Sequence, residues 1–373
     1  MTTATVHPLL PAQDHAARRD SVRALLADEN HAATWLLVTD PRNVRYLAGF
    51  SGSNGQVLLG PDPDDDRLIT DARYTARAAV EAPGLERTLT RDPFAPALQQ
   101  AVSARLAVEA DHLSWAQGKT LRGRAHEANV ELVPTTGLVE RPRLVKDDAE
   151  VARIARACAI TEDALQWLAE QHLRPGLTER DLAIRLERRF VDTGADGIAF
   201  PSIVAAGPNG AVPHHDPTDR PLQAGELVTI DCGALVDGYH ADHTRTFAVP
   251  GAPPDAQLAE AHEVVLAAQT AGRDAARAGA SGHDIDTAAR SLITEAGYGE
   301  HFVHGTGHGV GLAIHEAPTV AQGAAASLPV GTVLTVEPGI YLPGHGGIRI
   351  EDTLALVADG PARPLTDTSR RLR

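Results

Sequence analysis

Four acidic residues in the C-terminal half each stand in an apolar, strand-like run, and a glycine-framed histidine lies among them. The runs are Leu227-Val228-Thr229-Ile230-Asp231, Tyr239-His240-Ala241-Asp242, Val333-Leu334-Thr335-Val336-Glu337 and Gly347-Ile348-Arg349-Ile350-Glu351. The histidine stretch is His304-Gly305-Thr306-Gly307-His308-Gly309-Val310-Gly311. A carboxylate on a buried strand must find a partner or lose its charge. If all four converged, each pair at ~4 Å would repel by about 4 kcal/mol at an effective dielectric of ~20. Divalent cations are the simplest remedy, so the first expectation is a carboxylate-rich metal site with one imidazole ligand.

Side chains alternate faces along a strand. Leu227, Thr229 and Asp231 share a face; so do Asp242, Thr244 and Thr246, then Val333, Thr335 and Glu337, then Arg349, Glu351 and Thr353. A turn near Val236-Asp237-Gly238 folds the first two runs into a hairpin and brings Asp231 close to Asp242 in register. Pro338-Gly339 bends the chain directly after Glu337. The histidine stretch is not a helix, since each of its four glycines costs about 1 kcal/mol there relative to alanine. His304 and His308 are therefore not a helical metal pair.

The elements that must hold these residues read as α+β. In the N-terminal part, a helix over 17–29 precedes a strand at 35–38, ended by Asp40-Pro41. Val44-Arg45-Tyr46-Leu47 leads into a turn-rich connector, Gly49 to Gly55. Runs at 57–59 and 67–70 form a strand pair around an acidic, proline-containing loop. Strand–helix alternation continues to about residue 138, which predicts a small α/β domain. A proline and mixed charge between Leu138 and Lys146 mark the boundary, giving domains at 1–142 and 143–373. The second opens with an amphipathic helix over 147–171. The next helix starts behind Thr178, with Asp181 three residues on as a capping box. Two more helices fall at 257–277 and 283–296, and strands at 202–206, 226–234, 239–248, 332–341 and 347–357.

The 373 residues supply material for more than one core, with 43% hydrophobic residues. The formal charge of −15, from 49 acidic against 34 basic residues, argues against non-specific nucleic-acid binding. Cys158 and Cys232 form no disulfide framework and no zinc motif, and read as core residues. No apolar run reaches about 18 residues, and Met1 to Asp20 has no apolar core of a secretory signal. The expectation is a cytoplasmic protein.

The ordered motifs resemble a known family. Asp231-x10-Asp242 with His243-Thr244-Arg245-Thr246, His304-Gly-Thr-Gly-His308-Gly-Val-Gly-Leu312 through His315-Glu316-x-Pro318, Glu337-Pro338-Gly339 and Gly347-Ile-Arg-Ile-Glu351-Asp352 look like the four signatures of the pita-bread metallopeptidases, peptidase family M24. Arg143-Leu-Val-Lys146 and Pro175-Gly-Leu-Thr-Glu179 resemble its entry helices. Asn43 to Gly52 and Asp71-Ala-Arg-Tyr74 resemble the creatinase/prolidase N-terminal domain. The similar members are Xaa-Pro aminopeptidase (aminopeptidase P) and Xaa-Pro dipeptidase (prolidase).

This resemblance implies a C-terminal pita-bread fold, a smaller creatinase-like N-terminal domain and a dinuclear site, with manganese expected and cobalt or zinc as alternatives. Asp231 would chelate one metal, Asp242 and Glu351 would bridge both, and His308 and Glu337 would complete the second. Glu337 would also accept the proton that later passes to the proline nitrogen. His214, His304 and His315 match the outer, substrate-facing histidines, with His215 a bystander, and Arg349 would support Glu351. His243 departs from the family's apolar or aromatic residue and bears on local packing. The reading placed first is an Xaa-Pro aminopeptidase acting on peptides with proline second, since Gly49 to Gly55 resembles that branch. The alternatives are the dipeptidase, a non-peptide carbon–nitrogen hydrolase and a non-catalytic binding protein. A homodimer is the family expectation.

Overall fold

A computed structural model describes residues 10–28 and 33–372. Part of the stretch read for a secretory signal, and Glu29 of the first predicted helix, lie outside the described residues. The chain divides into two compact units, Ala12–Arg143 and a second that joins the chain from Leu144 onward to the described residues before Ala12.

The N-terminal unit is built on six strands: Trp35–Val38 (β1), Gly55–Leu59 (β2), Arg67–Thr70 (β3), Glu86–Leu89 (β4), Arg105–Glu109 (β5) and Glu131–Thr135 (β6). They form one mixed sheet in the order β4-β3-β2-β1-β5-β6. Its helices are His15–Asp28 (α1), Pro41–Ala48 (α2), Thr75–Glu81 (α3), Ala95–Gln100 (α4), Trp115–Glu127 (α5) and Glu140–Leu144 (α6). Leu37, Leu58, Leu106 and Leu121 are among its core residues. Each fully buried leucine contributes about 1.5–3 kcal/mol. Val44–Leu47, read above only as the run leading into a connector, belongs to α2. Asp40 caps it by accepting from Arg42 N, Pro41 opens it, and Gly49 closes it at φ 76°. A proline that ends a strand is equally suited to the first turn of a helix.

The second unit carries four helices: Asp148–Gln171 (α7), Glu179–Asp192 (α8), Ala256–Ala275 (α9) and Gly282–Glu295 (α10). Capping boxes start three of them, at Asp147/Glu150, Thr178/Asp181 and Ser281/Asp284. Its strands are Gly197–Ile198 (β7), Ile203–Ala206 (β8), Leu227–Cys232 (β9), Ala234–Val236 (β10), Tyr239–His240 (β11), His243–Ala248 (β12), Gly307–Gly309 (β13), Glu316–Val320 (β14), Val333–Val336 (β15), Gly339–Leu342 (β16), Gly346–Arg349 (β17), Asp352–Ala355 (β18) and Arg363–Pro364 (β19). They form sheets β12-β9-β8, β11-β10-β7, β14-β13-β15-β18-β19 and the pair β16-β17. Asp237 and Gly238, at φ 47° and 78°, form the turn between β10 and β11, with positive φ at both central residues as a tight hairpin requires.

The long strands read from the sequence are broken here, and the breaks matter. Asp242 lies between β11 and β12, Glu337 between β15 and β16, and Glu351 between β17 and β18. Asp231 stands next to the last residue of β9. Three of the four acids thus sit where the chain leaves one sheet for another, so their side chains are freed from a continuous ladder. Gly233 follows the same logic, since a Cβ there would lie 1.9 Å from Ala241 O. Among the described residues no helix is long and apolar enough to cross a membrane.

Candidate metal centre

The β9–β12 ladder pairs Asp231 with Thr244 and Cys232 with His243, which places Asp242 two residues along from the position opposite Asp231. Glu351 reaches the same point because its N–H donates to Thr244 O at 3.1 Å. Thr244 Oγ1 also donates to Glu351 Oε2 at 2.7 Å. Glu337 is brought in by β15, and its N–H donates to Thr306 O at 2.7 Å. His308 occupies the centre of β13. Its neighbours must be glycine: a Cβ at Gly307 would lie 2.1 Å from Thr335 O, and one at Gly309 2.0 Å from Ala317 O.

Ring geometry fixes what His308 can do. Nδ1 lies 3.1 Å from Gly309 O, and a carbonyl only accepts, so Nδ1 carries the hydrogen. Nε2 then faces Glu337 Oε1 at 3.2 Å and Asp242 Oδ2 at 3.5 Å. Burial disfavours the imidazolium, but the hydrogen bond and charge of Glu337 outweigh it, and the His308 pKa is raised. Burial likewise pushes Glu337 up, and His308 outweighs that too, holding it down to about 2. Asp242 and Glu351 respond oppositely. Burial raises both well above the ordinary carboxylate range. The charges of Glu351, Asp231 and Glu337 add to this for Asp242, and those of Glu337 and Asp231 for Glu351.

This repulsion is what a divalent cation relieves, and the donor set suits one. Asp231 Oδ1 and Glu351 Oε1 are buried with no hydrogen-bond partner. One ligand atom each from Asp242, His308 and Glu351 lies within 4.8 Å of the others. Hard carboxylate oxygens with a single imidazole match divalent cations such as manganese or zinc by ligand type.

Around this cluster is a cavity of about 510 Å³, lined among others by Asp231, Asp242, His308 and Glu337. His214, His304, His315 and Arg349 line it as well, with Phe200, Pro201, Ile203 and Ile314 as an apolar wall. The outer histidines are not equivalent. His304 donates from Nδ1 to Gly305 O at 2.7 Å, so Nε2 accepts from the Tyr341 hydroxyl at 2.8 Å. Burial lowers its pKa and keeps it neutral. Both of its nitrogens are therefore committed to protein groups. The rings of His214 and His315 have no hydrogen bond among the described residues; His315 packs edge-on to His308 at 4.3 Å between centroids. Burial and the nearby His308 lower the His315 pKa. His215, beside His214, is bound at Nε2 to the buried Glu179 at 2.9 Å.

Arg349, read from the sequence as a supporting partner of Glu351, makes no direct hydrogen bond to it; Thr244 Oγ1 stands between the two. Arg349 donates to Asp231 Oδ2 at 2.6 Å, to Tyr341 OH at 2.9 Å, to Thr244 Oγ1 at 3.2 Å and to Pro213 O at 3.3 Å. Strand alternation put Arg349 and Glu351 on one face, and across the break between β17 and β18 both still bond the Thr244 hydroxyl. Tyr341 was missed altogether. Burial pushes its hydroxyl up to about 12, so it stays protonated and links Arg349 to His304. The available signal was a tyrosine inside a buried run, whose hydroxyl must find partners. His243 is fully buried and bonds Thr368 Oγ1 through Nε2 at 2.7 Å, away from the cluster. Lys146 pairs with Glu316 at 2.9 Å, steadying the residue next to His315.

Four carboxylates and an imidazole, three of the acids at sheet breaks, converge beside the cavity with a donor set that suits a divalent cation. The profile described as metallopeptidase family M24 matches residues 152–358, and the creatinase/prolidase N-terminal domain matches residues 18–145. A Xaa-Pro dipeptidase of Pyrococcus horikoshii is 35% identical over 345 residues, covering 92% of this chain and 95% of the relative. Among solved structures, a Xaa-Pro dipeptidase from Bacillus anthracis superimposes with TM-score 0.89 at 35% identity, covering 96% of this chain and 99% of that one. An X-Pro aminopeptidase from Thermotoga maritima superimposes with TM-score 0.85 at 33% identity, covering 95% and 98%. The chain belongs to metallopeptidase family M24. Its architecture is a creatinase-type N-terminal domain followed by the pita-bread fold.

Proposed function

We propose that this chain is a Xaa-Pro dipeptidase: a metal-dependent hydrolase that cuts the bond between a first residue and a following proline. The observation that carries the reading is the convergence of buried, partly unpartnered carboxylates with His308 in one cavity. The substrate class is supported by the relatives. Although the sequence reading placed an aminopeptidase first, the similar proteins named dipeptidases, which match over nearly the whole chain, support the dipeptidase better.

Asp231, Asp242, His308, Glu337 and Glu351 are the proposed ligands of two divalent cations, with manganese the proposed metal on ligand type. When bound, such a pair lowers the pKa of a water and polarises the scissile carbonyl. The remaining roles fall to the chain's own groups. Glu337 is the proposed proton acceptor and later donor to the proline nitrogen. His308 at 3.2 Å holds it at about 2, so base function requires His308 to be neutral and engaged as a ligand. His214 and His315, with uncommitted ring nitrogens, are the proposed donors to the developing oxyanion. His304 acts indirectly, by holding the Tyr341 hydroxyl that in turn orients Arg349 against Asp231. Phe200, Pro201, Ile203 and Ile314 offer the apolar surface for the pyrrolidine ring and first side chain.

One observation favours the aminopeptidase as a second reading. A dipeptidase must hold the proline carboxylate, yet among the described lining residues the sole arginine or lysine is Arg349, and its donors face Asp231, Tyr341, Thr244 and Pro213. Hydrolysis of Ala-Pro and of Arg-Pro-Pro, each with EDTA and after added manganese, decides. Metal-restored cleavage of the dipeptide alone supports the dipeptidase. Cleavage of the tripeptide establishes the aminopeptidase. No cleavage of either, with metal bound, overturns both. The proposal includes domains at 1–142 and 143–373; the division of the compact units between Arg143 and Leu144 supports the inner boundary, while the described residues before Ala12 belong to the second unit. It also includes a cytoplasmic homodimer, for which free, buried Cys158 and Cys232 suit a reducing compartment.

A further inference from the structure

The segment from Phe302 to Thr306 precedes β13 and carries His304, yet it has no ladder of its own. Its backbone is held instead by two side chains of α10. Arg290 donates to Phe302 O at 3.1 Å and to His304 O at 2.7 Å. Its guanidinium also lies 4.0 Å from the centre of the Phe302 ring. The His304 ring packs edge-on against Phe302, at 5.1 Å and 89°. Asp286, one turn before Arg290 and fully buried, accepts from Thr306 N at 3.2 Å and from Thr306 Oγ1 at 2.7 Å. Asp286 and Arg290 are joined by two bonds of 2.8 and 2.9 Å.

We propose that Asp286 and Arg290 are positioning residues: their ion pair clamps the 302–306 segment, and so sets the His304 ring and the main chain that receives Glu337. Neither residue touches the cavity cluster. The clamp acts at two points. Through Phe302 and the His304 carbonyl it fixes the ring that accepts from Tyr341. Through Thr306 it fixes the carbonyl that receives the Glu337 N–H. The need for it is local. Gly305 and Gly307 leave the segment large conformational freedom, and its unladdered N–H and C=O groups require partners where they are buried. A charge-assisted pair, itself bonded to the loop at both ends, supplies them with defined direction.

The kinetic arm of the test rests on the Xaa-Pro peptidase reading, and a spectroscopic arm does not. Asp286→Asn and Arg290→Lys are each expected to lower kcat on Ala-Pro by about ten- to a hundredfold, the usual cost of losing an orienting partner, with KM changed less. In the double variant Arg290→Lys/His304→Ala, the loss should be smaller than the product of the two single losses, because the part of the clamp that runs through His304 is already gone. Independently, the ring resonances of His304, assigned through His304→Ala in histidine-labelled protein, should shift in both clamp variants. A kcat within twofold of the parent in both variants, losses that multiply in the double variant, or unmoved His304 resonances would each overturn the proposal. If the parent protein cleaves no Xaa-Pro substrate, the functional reading fails and the resonances alone decide the clamp. Should Asp286→Asn not fold, Arg290→Lys, which keeps the charge but cannot bridge both carbonyls, carries both arms.

Discussion

Glu351 and Asp352 are neighbours in sequence, both are buried, and they live in opposite electrostatic worlds. Glu351 faces the cavity cluster, where burial and the carboxylates of Glu337 and Asp231 raise its pKa. Asp352 faces the back of the sheet. Burial works against its charge there as well, but Arg245, His243 and Arg273 reverse the outcome and lower it. Arg245 donates to Asp352 Oδ1 at 2.7 Å, Arg273 to Oδ2 at 2.6 Å and Gln269 to Oδ2 at 2.8 Å. Arg245 also donates to the Glu351 carbonyl at 2.6 Å and to the carbonyls of Thr368 and Ser369. Burial therefore does not distinguish a structural acid from a functional one. The number of donors aimed at it does. One face is a satisfied network that braces the strands, and the other is an excess of acceptors prepared for a cation.

The comparison breaks most sharply at Glu351. Glu351→Gln should lower metal-restored turnover by at least about 10³-fold, on the scale of losing ~4 kcal/mol of charge stabilisation. The melting temperature in EDTA should stay level or rise, since a like charge has gone. Activity within tenfold of the parent would remove Glu351 from the centre. Asp352→Ala should do the reverse, costing about 3–5 kcal/mol of stability because Arg245 is left buried without its partner. A urea midpoint equal to the parent's would show that the network does not brace the fold.

Arg349→Lys sharpens the boundary between the two faces. A lysine cannot reproduce the fork joining Asp231, Tyr341 and Thr244, so turnover should fall about ten- to a hundredfold with little change in melting temperature. Equal activity would make Arg349 a strand brace.

The pH dependence of stability in EDTA separates the faces by sign. Asp242 and Glu351 have raised pKa values in the folded protein, so the folded state holds protons that the unfolded state releases. Their contribution is full below the ordinary carboxylate pKa of about 4 and is lost as pH rises toward the raised values. Asp352, lowered, contributes above about pH 4, and that contribution is lost as pH falls through its folded value. Melting temperature in EDTA should therefore decline as pH rises from about 4 toward neutrality, and saturating manganese should remove the decline. A profile unchanged by metal would break the comparison. The smallest effect is expected remote from both faces: Thr178→Ala removes the α8 cap and should cost about 1 kcal/mol with kcat unchanged.

Much of this was legible in one dimension. The α8 boundary followed from Thr178 and Asp181, because a cap and its first turn are four consecutive residues. The acids and His308 could be picked out because charge within apolar runs, and glycine on both sides of a histidine, are local anomalies. What was misread has a common cause. Period-two alternation assumed continuous strands, but the ladders break at Asp242, Glu337 and Glu351. Arg349 therefore bonds Asp231 directly and reaches Glu351 only through Thr244, and Tyr341 comes to lie between Arg349 and His304. Helix α2 was missed because Pro41 ends one element and begins another with the same residue.

The sequence by itself determined the chemistry available: hard oxygen donors, one imidazole in a backbone-hugging segment, and helices whose ends are written in their caps. These are properties of residue type and short spacing. Only the tertiary structure decided which carboxylate keeps its charge, which histidine nitrogens remain uncommitted, and that Asp286 and Arg290 reach the loop of His304. Each of these depends on distances between residues far apart in the chain. Charge interaction and hydrogen bonding fall off over a few ångströms, which sequence separation does not measure.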